Sequence, residues 1–412
     1  MEDYLLHTLP NGIRIVHKPL ATTQIAHLCI MLDIGSRDEL PHQQGLAHFW
    51  EHMAFKGTKK RNAYHILNTL ERVGGELNAY TTKEKICFHA SVLKEYFEKA
   101  LEVLVDITFN PTFPEKHIER EKGVILEEMA MYHDSPEDSI QDDFDTLIFA
   151  NHSLGTNILG TTETVSAFTQ HDLQGFIAHN LDSERIVVSS VGNLPFAKVV
   201  KLAEKYLSDI LTSHTNRTRL SPNGYQPQHQ EVKRTITQAQ VALGRRAYGL
   251  THDKRLPLYM LVNHLGGPSM NSRLNLTVRE KYGLAYAVDA QYTPYLDTGF
   301  FGVYFGTEPR KLNKTLSLVH KELQLLREKT ISATQLHYIK KQLMGQLAMS
   351  EEGNLNFMLM MAKSILDVRR IESLQDIFAQ IEAITANQLQ EIAQEIFDES
   401  QFCSLTFVPE NL

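Results

Sequence analysis

Pro41–Gly57 (PHQQGLAHFWEHMAFKG) lies over Thr251–Gly267 (THDKRLPLYMLVNHLGG) at the constant offset of 210 residues that separates Pro41 from Thr251. His42 meets His252, Leu46 meets Leu256 and Gly57 meets Gly267. The order of strand-like and helix-like stretches around the first segment recurs around the second. Such a repeat constrains the chain to two similar halves, and its 412 residues exceed what one ordinary hydrophobic core accommodates. The halves differ where chemistry is concerned. His48, Glu51 and His52 align with Leu258, Leu261 and Val262.

The elements follow from periodicity and punctuation. Leu5–Leu9 and Ile13–His17 flank a Pro-Asn-Gly turn, and Ile25–Ile34 reads as a longer strand. A helix then carries His48 and His52, and Gly57 closes it. Asn62 can cap a second helix that turns Ile66, Leu67, Leu70 and Val73 inward and stops at Gly74-Gly75. Glu76–Thr82 and Lys85–Val92 read as paired strands. Glu95–Ile107 reads as an amphipathic helix with Phe97, Leu101 and Leu104 inward. Helices over 115–132 and 138–149, a loop over 151–164, a strand at 186–191 and a helix at 196–210 complete the first half.

Thr212–Gln230 is polar, holds Pro222, Gly224 and Pro227, and shows neither a helical nor a strand period. It divides the chain into a first half at 1–212, a linker at 213–230 and a second half at 231–412. In the second half, strands are expected at 238–243, 286–292 and 299–305. Helices are expected at 253–265 and from about residues 310 and 332, with a last strand near 402–407.

His48 and His52 are four residues apart, so both imidazoles leave one helix face, and Glu51 reaches the same space. Two neutral imidazoles suit zinc, and an unligated carboxylate beside them can deprotonate a zinc-bound water. This is the inverted H-x-x-E-H pattern. Read without the metal, the same residues are solvated polar side chains at the start of an amphipathic helix.

A catalytic zinc takes a third protein ligand and leaves one position for water. The helix after Pro114 offers Glu115, Glu119, Glu121, Glu127 and Glu128. Glu121 and Glu128 are seven apart, two turns along one face. Helical geometry leaves the choice among these carboxylates open.

Other classes are excluded or disfavoured. A net charge of -8 without a Lys/Arg block argues against nucleic acid or an anionic membrane as partner. No apolar run of about 18 residues could span a bilayer. The N-terminus lacks the basic and apolar regions of a secretory signal. Cys29, Cys87 and Cys403 are far apart, which indicates neither a thiolate metal site nor a disulfide framework. A cytoplasmic protein is therefore expected.

Four motifs together resemble one family. They are the H-x-x-E-H, Gly74–Ala79 (GGELNA), Glu119–Glu128 (EREKGVILEE) and Arg279–Tyr286 (REKYGLAY). The chain is similar over essentially its whole length to the pitrilysin/insulysin-type zinc peptidases of family M16, in the short-chain branch that includes mitochondrial processing peptidase. The resemblance implies an α+β fold of two homologous halves, each an antiparallel sheet backed by helices, facing each other as a clam-shell around a chamber.

It implies Zn2+ on His48, His52 and Glu128, with Glu51 as the base that activates water and Glu121 assisting near the metal. Gln346 falls where the second half would repeat Glu128, so that half is expected to be metal-free. Asn78 and Ala79 are implied to bind peptide at a strand edge, although Asn78 reads equally well as a plain polar strand end. Arg279 and Tyr286 are implied to reach the substrate carbonyl and oxyanion. Without the resemblance they read as a surface charge and a strand-core residue. The expected activity is endopeptidase action on short unfolded peptides, with a homodimer or a heterodimer of related chains as the working form. The rival is a non-catalytic assembly subunit of the same fold, whose sign would be degraded zinc motifs; here they are intact.

Overall fold

The computed structural model describes residues 4–215 and 217–410. Met1–Asp3, part of the N-terminus read for a signal, and Asn216 of the linker lie outside the described residues.

Two compact units form, and neither is continuous in sequence. The first gathers Met1–Met129, Thr156–Arg219 and Met349–Ser373; the second gathers Ala130–Gly155, Leu220–Ala348 and Leu374–Leu412. The contiguous halves expected at 1–212 and 231–412 thus exchange a segment each.

The first unit is built on six strands: β1 (Leu5–Thr8), β2 (Arg14–Pro19), β3 (Ile25–Leu32), β4 (Glu76–Thr81), β5 (Ile86–Leu93) and β6 (Ile186–Gly192). Their order is β1-β2-β6-β3-β5-β4, which leaves β4 at an edge. The second unit has β7 (His229–Arg234), β8 (Ala239–Ala247), β9 (Val288–Pro294), β10 (Gly299–Thr307) and β11 (Cys403–Pro409), in the order β7-β11-β8-β10-β9. Apart from β1, the two sheets correspond strand for strand, as the repeat requires.

The sheets are mixed rather than wholly antiparallel. β2 pairs β6 in parallel and β7 pairs β11 in parallel, while the other pairs are antiparallel. In each half the last strand returns after a series of helices, long enough a connection to enter parallel to its neighbour.

One face of the first sheet packs on α1 (Leu46–Ala54), α2 (Ala63–Glu71) and α3 (Phe97–Phe109). Phe97, Leu101 and Leu104 meet Leu28, Ile30, Phe49 and Trp50 in this core. Each such side chain, fully buried, contributes about 1.5–3 kcal/mol. Leu67, expected to face inward, is 47% exposed, because the buried stripe of α2 runs through Ile66 and Leu70. The acidic helix is α4 (Glu115–His133), followed by α5 (Pro136–Ile148).

The exchange has a simple cause. Each sheet is apolar on both faces, and helices local in sequence cover only one. In the first unit Cys29, Met31, Cys87 and Val187 are covered by Phe357, Met358 and Met361 of the helix Asn354–Val368. In the second, Ala242, Phe300, Tyr304 and Phe407 are covered by Ile140, Phe144 and Leu147 of α5.

Three further differences stand out. Part of the expected loop at 151–164 begins the helix Thr162–Ala167, and Gln170–Asn180 is also helical. The end of the expected linker enters β7. β9 starts at Val288, so Tyr286 lies outside the strand.

Candidate metal centre

α1 places His48 and His52 one turn apart, with ring centroids 4.5 Å from each other. α4 brings in Glu128, and one ligand atom from each of His48, His52 and Glu128 lies within 4.8 Å of the others. His48 Nε2 is 3.9 Å from Glu128 Oε1, and His52 Nε2 is 3.6 Å from Glu128 Oε2. These separations are too long for hydrogen bonds. Donors bonded at about 2.0–2.1 Å to one zinc stand roughly 3.3 Å apart, so the three ligand atoms, within 4.8 Å of one another, would draw closer to share a metal.

The protonation states fit a metal. Burial, then the neighbouring His52, pushes His48 down to about 3, so its ring is neutral and able to ligate. His48 Nδ1 is buried and has no hydrogen-bond partner among the described residues. His52 Nδ1 lies 2.9 Å from Glu121 Oε1, and Lys56 Nζ lies 2.8 Å from Glu121 Oε2. Burial would raise Glu121, but the bonds from His52 and Lys56 outweigh it and hold the carboxyl below its ordinary range. An ionised Glu121 accepts only, so His52 presents its Nδ1–H to Glu121 and turns Nε2 toward Glu128.

Glu51 lies one residue before His52 on α1. Thr81 Oγ1 donates to Glu51 Oε2 over 2.6 Å. Burial raises the Glu51 carboxyl, opposed by the Thr81 bond and by His52 and reinforced by Glu128. A carboxyl raised in this way, yet held by one donor, suits a group that takes up and releases a proton.

Of the carboxylates on α4, only Glu121 and Glu128 reach the histidines. Glu119 is solvent-exposed and pairs with Lys122, and Glu115 and Glu127 are also exposed. Packing therefore brings two of the five glutamates to the histidines, where helical spacing had left all five open. Thr81 and Lys56 were not singled out from the sequence. The strand alternation that puts Thr81 on the face of Ala79 was a usable signal, as was the four-residue step from His52 to Lys56.

β4, with Asn78 and Ala79, is the edge of the first sheet. Asn78 Oδ1 accepts from the Ala79 N–H over 2.8 Å, so this backbone donor is met by a neighbouring side chain and not by β5.

Arg279 and Tyr286 belong to the second unit. Arg279 lies in a π-helical turn, Asn275–Lys281, which ends at Gly283 with φ +56°. The Leu284 N–H donates to Val278 O over 3.0 Å and turns the chain outward. Tyr286 is 84% exposed, which overturns the strand-core reading, and its ring lies 5.2 Å from the Arg279 guanidinium carbon. Where the second unit would repeat the metal cluster, Asn263 Nδ2 donates to Gln346 Oε1 over 2.9 Å, and Gln346 Nε2 donates to Ser269 Oγ over 2.7 Å. A neutral amide chain ties the helices there.

Residues 14–162 match the family described as insulinase (peptidase family M16), and residues 167–343 match the peptidase M16 inactive domain. The uncharacterized zinc protease YmxG of Bacillus subtilis is 33% identical over 97% of both chains. The chain belongs to peptidase family M16. A similarly named zinc protease of Streptomyces coelicolor is 33% identical over 94% of this chain and 86% of its own.

Among solved structures, a peptidase M16 inactive domain from Pseudomonas fluorescens superposes with a TM-score of 0.91 at 18% identity, covering 98% of both chains. A protease from Helicobacter pylori superposes at 0.90 and 21%, covering 98% of this chain and 99% of its own. At these identities the likeness is one of fold. Among the described residues of this M16 chain, no helix is long and apolar enough to cross a membrane.

Proposed function

We propose that this M16 chain is a zinc-dependent endopeptidase that hydrolyses short, unfolded peptides. The observation that carries the reading is the convergence of His48, His52 and Glu128 within 4.8 Å, beside a Glu51 that is raised and held by Thr81.

His48, His52 and Glu128 hold the metal, with Glu121 orienting His52. Zinc, when bound, supplies a Lewis acid for the scissile carbonyl and acidifies water. Glu51 takes a proton from the attacking water and passes it to the leaving amine. The edge strand β4 receives an extended backbone at Asn78 and Ala79 by strand addition, which needs no particular side chain but does need an unfolded substrate. Arg279 binds the substrate carbonyl and Tyr286 donates to the oxygen on which negative charge develops.

An intact ligand set and base weigh against the rival role of a subunit that only assembles. The buried free thiols of Cys29, Cys87 and Cys403 suit a reducing compartment such as the cytoplasm. By resemblance, the working form is a pair of identical or related chains, which the mass of the purified protein in solution tests.

The deciding experiment exposes an unstructured peptide of about 20–30 residues, too short to bury a core, to wild type and to zinc-loaded Glu51→Gln, with products read by mass spectrometry. Cleavage by wild type alone is expected. Equal cleavage by both removes Glu51 from the mechanism, and none by either, with zinc bound, overturns the peptidase reading for the chain acting alone.

A further inference from the structure

The helix that carries the histidines and the base has an unusual start. α1 begins after Gly45, an N-cap residue with φ +94° and no side chain to meet the free N–H groups of the first turn. A Cβ at Gly45 would stand 2.5 Å from the carbonyl oxygen of Leu159, so no side chain fits there.

The missing cap comes from six residues upstream. Glu39 is buried, and its Oε2 accepts from the Gly45 N–H at 2.9 Å while its Oε1 accepts from the Ala47 N–H at 2.7 Å. One buried carboxyl group thus meets the N-cap and second-position donors together through its two oxygens. The preceding residue is held too, since Thr164 Oγ1 donates to Gln44 O over 2.7 Å.

The consequence concerns phase. α1 has nine residues, and His48, Glu51 and His52 are its third, sixth and seventh. Starting the helix one residue earlier or later would rotate every side chain by about 100°, which would carry both imidazoles away from Glu128 and Glu121. A helix this short gains little from its own hydrogen bonds, so its phase is set by tertiary contacts: the burial of Phe49, Trp50 and Met53 along its length and the Glu39 bridge at its start.

We propose that Glu39 is a positioning residue for the metal ligands: by bridging the Gly45 and Ala47 N–H groups it sets the phase in which α1 presents His48 and His52 to Glu128. The inference rests on the proposed zinc site but extends it to a residue that touches neither metal nor substrate.

The test compares wild type, Glu39→Gln and Asn62→Ala, the last removing the side-chain cap of α2 in the same unit. Zinc affinity is measured by chelator competition, the ligand field by the visible spectrum of the Co2+-substituted protein, and stability by thermal unfolding. Glu39→Gln is expected to weaken zinc binding about tenfold and to alter the Co2+ bands. Asn62→Ala is expected to lower the melting temperature while leaving affinity and spectrum unchanged. If Glu39→Gln does not fold, Glu39→Asp keeps the carboxyl group but is too short to bridge both donors, and a smaller loss in the same direction is expected. Wild-type affinity and spectrum in a folded Glu39 variant would overturn the inference. Failure of wild type itself to bind zinc would instead overturn the metal site on which it rests.

Discussion

His52 Nδ1–H donates to Glu121 Oε1 across 2.9 Å, and that bond decides which nitrogen of His52 is left for a metal. Glu121 is itself held by Lys56, so its orientation does not depend on the histidine alone. Glu121→Gln is expected to weaken zinc binding about 10–100-fold without removing a ligand. Chelator competition measures this, and an affinity equal to wild type would mean that the bond is dispensable.

The Ala79 N–H engages the Asn78 side chain rather than β5, so it is the donor an added peptide strand would capture. Proline is tolerated at sheet edges but has no N–H to offer. Ala79→Pro is expected to raise KM about tenfold, with kcat and zinc content near wild type. An unchanged KM would place the peptide elsewhere.

Tyr286 is 84% exposed and contributes little to the core. Tyr286→Phe should therefore leave the melting temperature unchanged while lowering kcat by about 10²–10³ if its hydroxyl meets the developing oxyanion. Steady-state kinetics of the variant, with a kcat equal to wild type, would remove the hydroxyl from the reaction.

Asp33 joins Lys85 at 2.8 Å, Arg219 at 2.9 Å and Arg217 at 3.4 Å, so it fastens the start of the linker segment to the first sheet. Burial alone would raise its carboxyl, but Lys85, Arg219 and Arg217 outweigh this and hold it far below the ordinary range. A depressed folded pKa contributes stability that is present above the unfolded value of about 4 and lost as pH falls below it. Asp33→Asn is expected to cost about 3 kcal/mol at neutral pH by leaving buried cations uncompensated, with a smaller difference from wild type at acid pH. Denaturant midpoints near pH 7 and pH 3 check this, and a difference independent of pH would show that the ionised carboxylate is not the source.

Much of the first unit is legible in the sequence. The four-residue step from His48 to His52, the inward stripe of Phe97, Leu101 and Leu104, the pairing of Glu76–Thr81 with Ile86–Leu93 and the recurrence of strand order are consequences of local periodicity. The exposed position of Tyr286 was not, because Val288–Pro294 continues as a strand and nothing in the composition marks where the π-helical turn and Gly283 release the chain.

Sequence alone determined that α1 would offer two imidazoles and a carboxylate on neighbouring positions, and that the second half would not repeat them. It left open which glutamate of α4 completes the set, because Glu115, Glu119, Glu121, Glu127 and Glu128 share one local chemistry. Tertiary packing decided which of them approach α1, turning Glu121 and Glu128 toward the histidines and leaving the others to solvent. The same holds for α5 and the helix Asn354–Val368. Their amphipathic faces showed that each must be buried, but a hydrophobic stripe carries no address, and only the fold assigned each to the sheet of the other half.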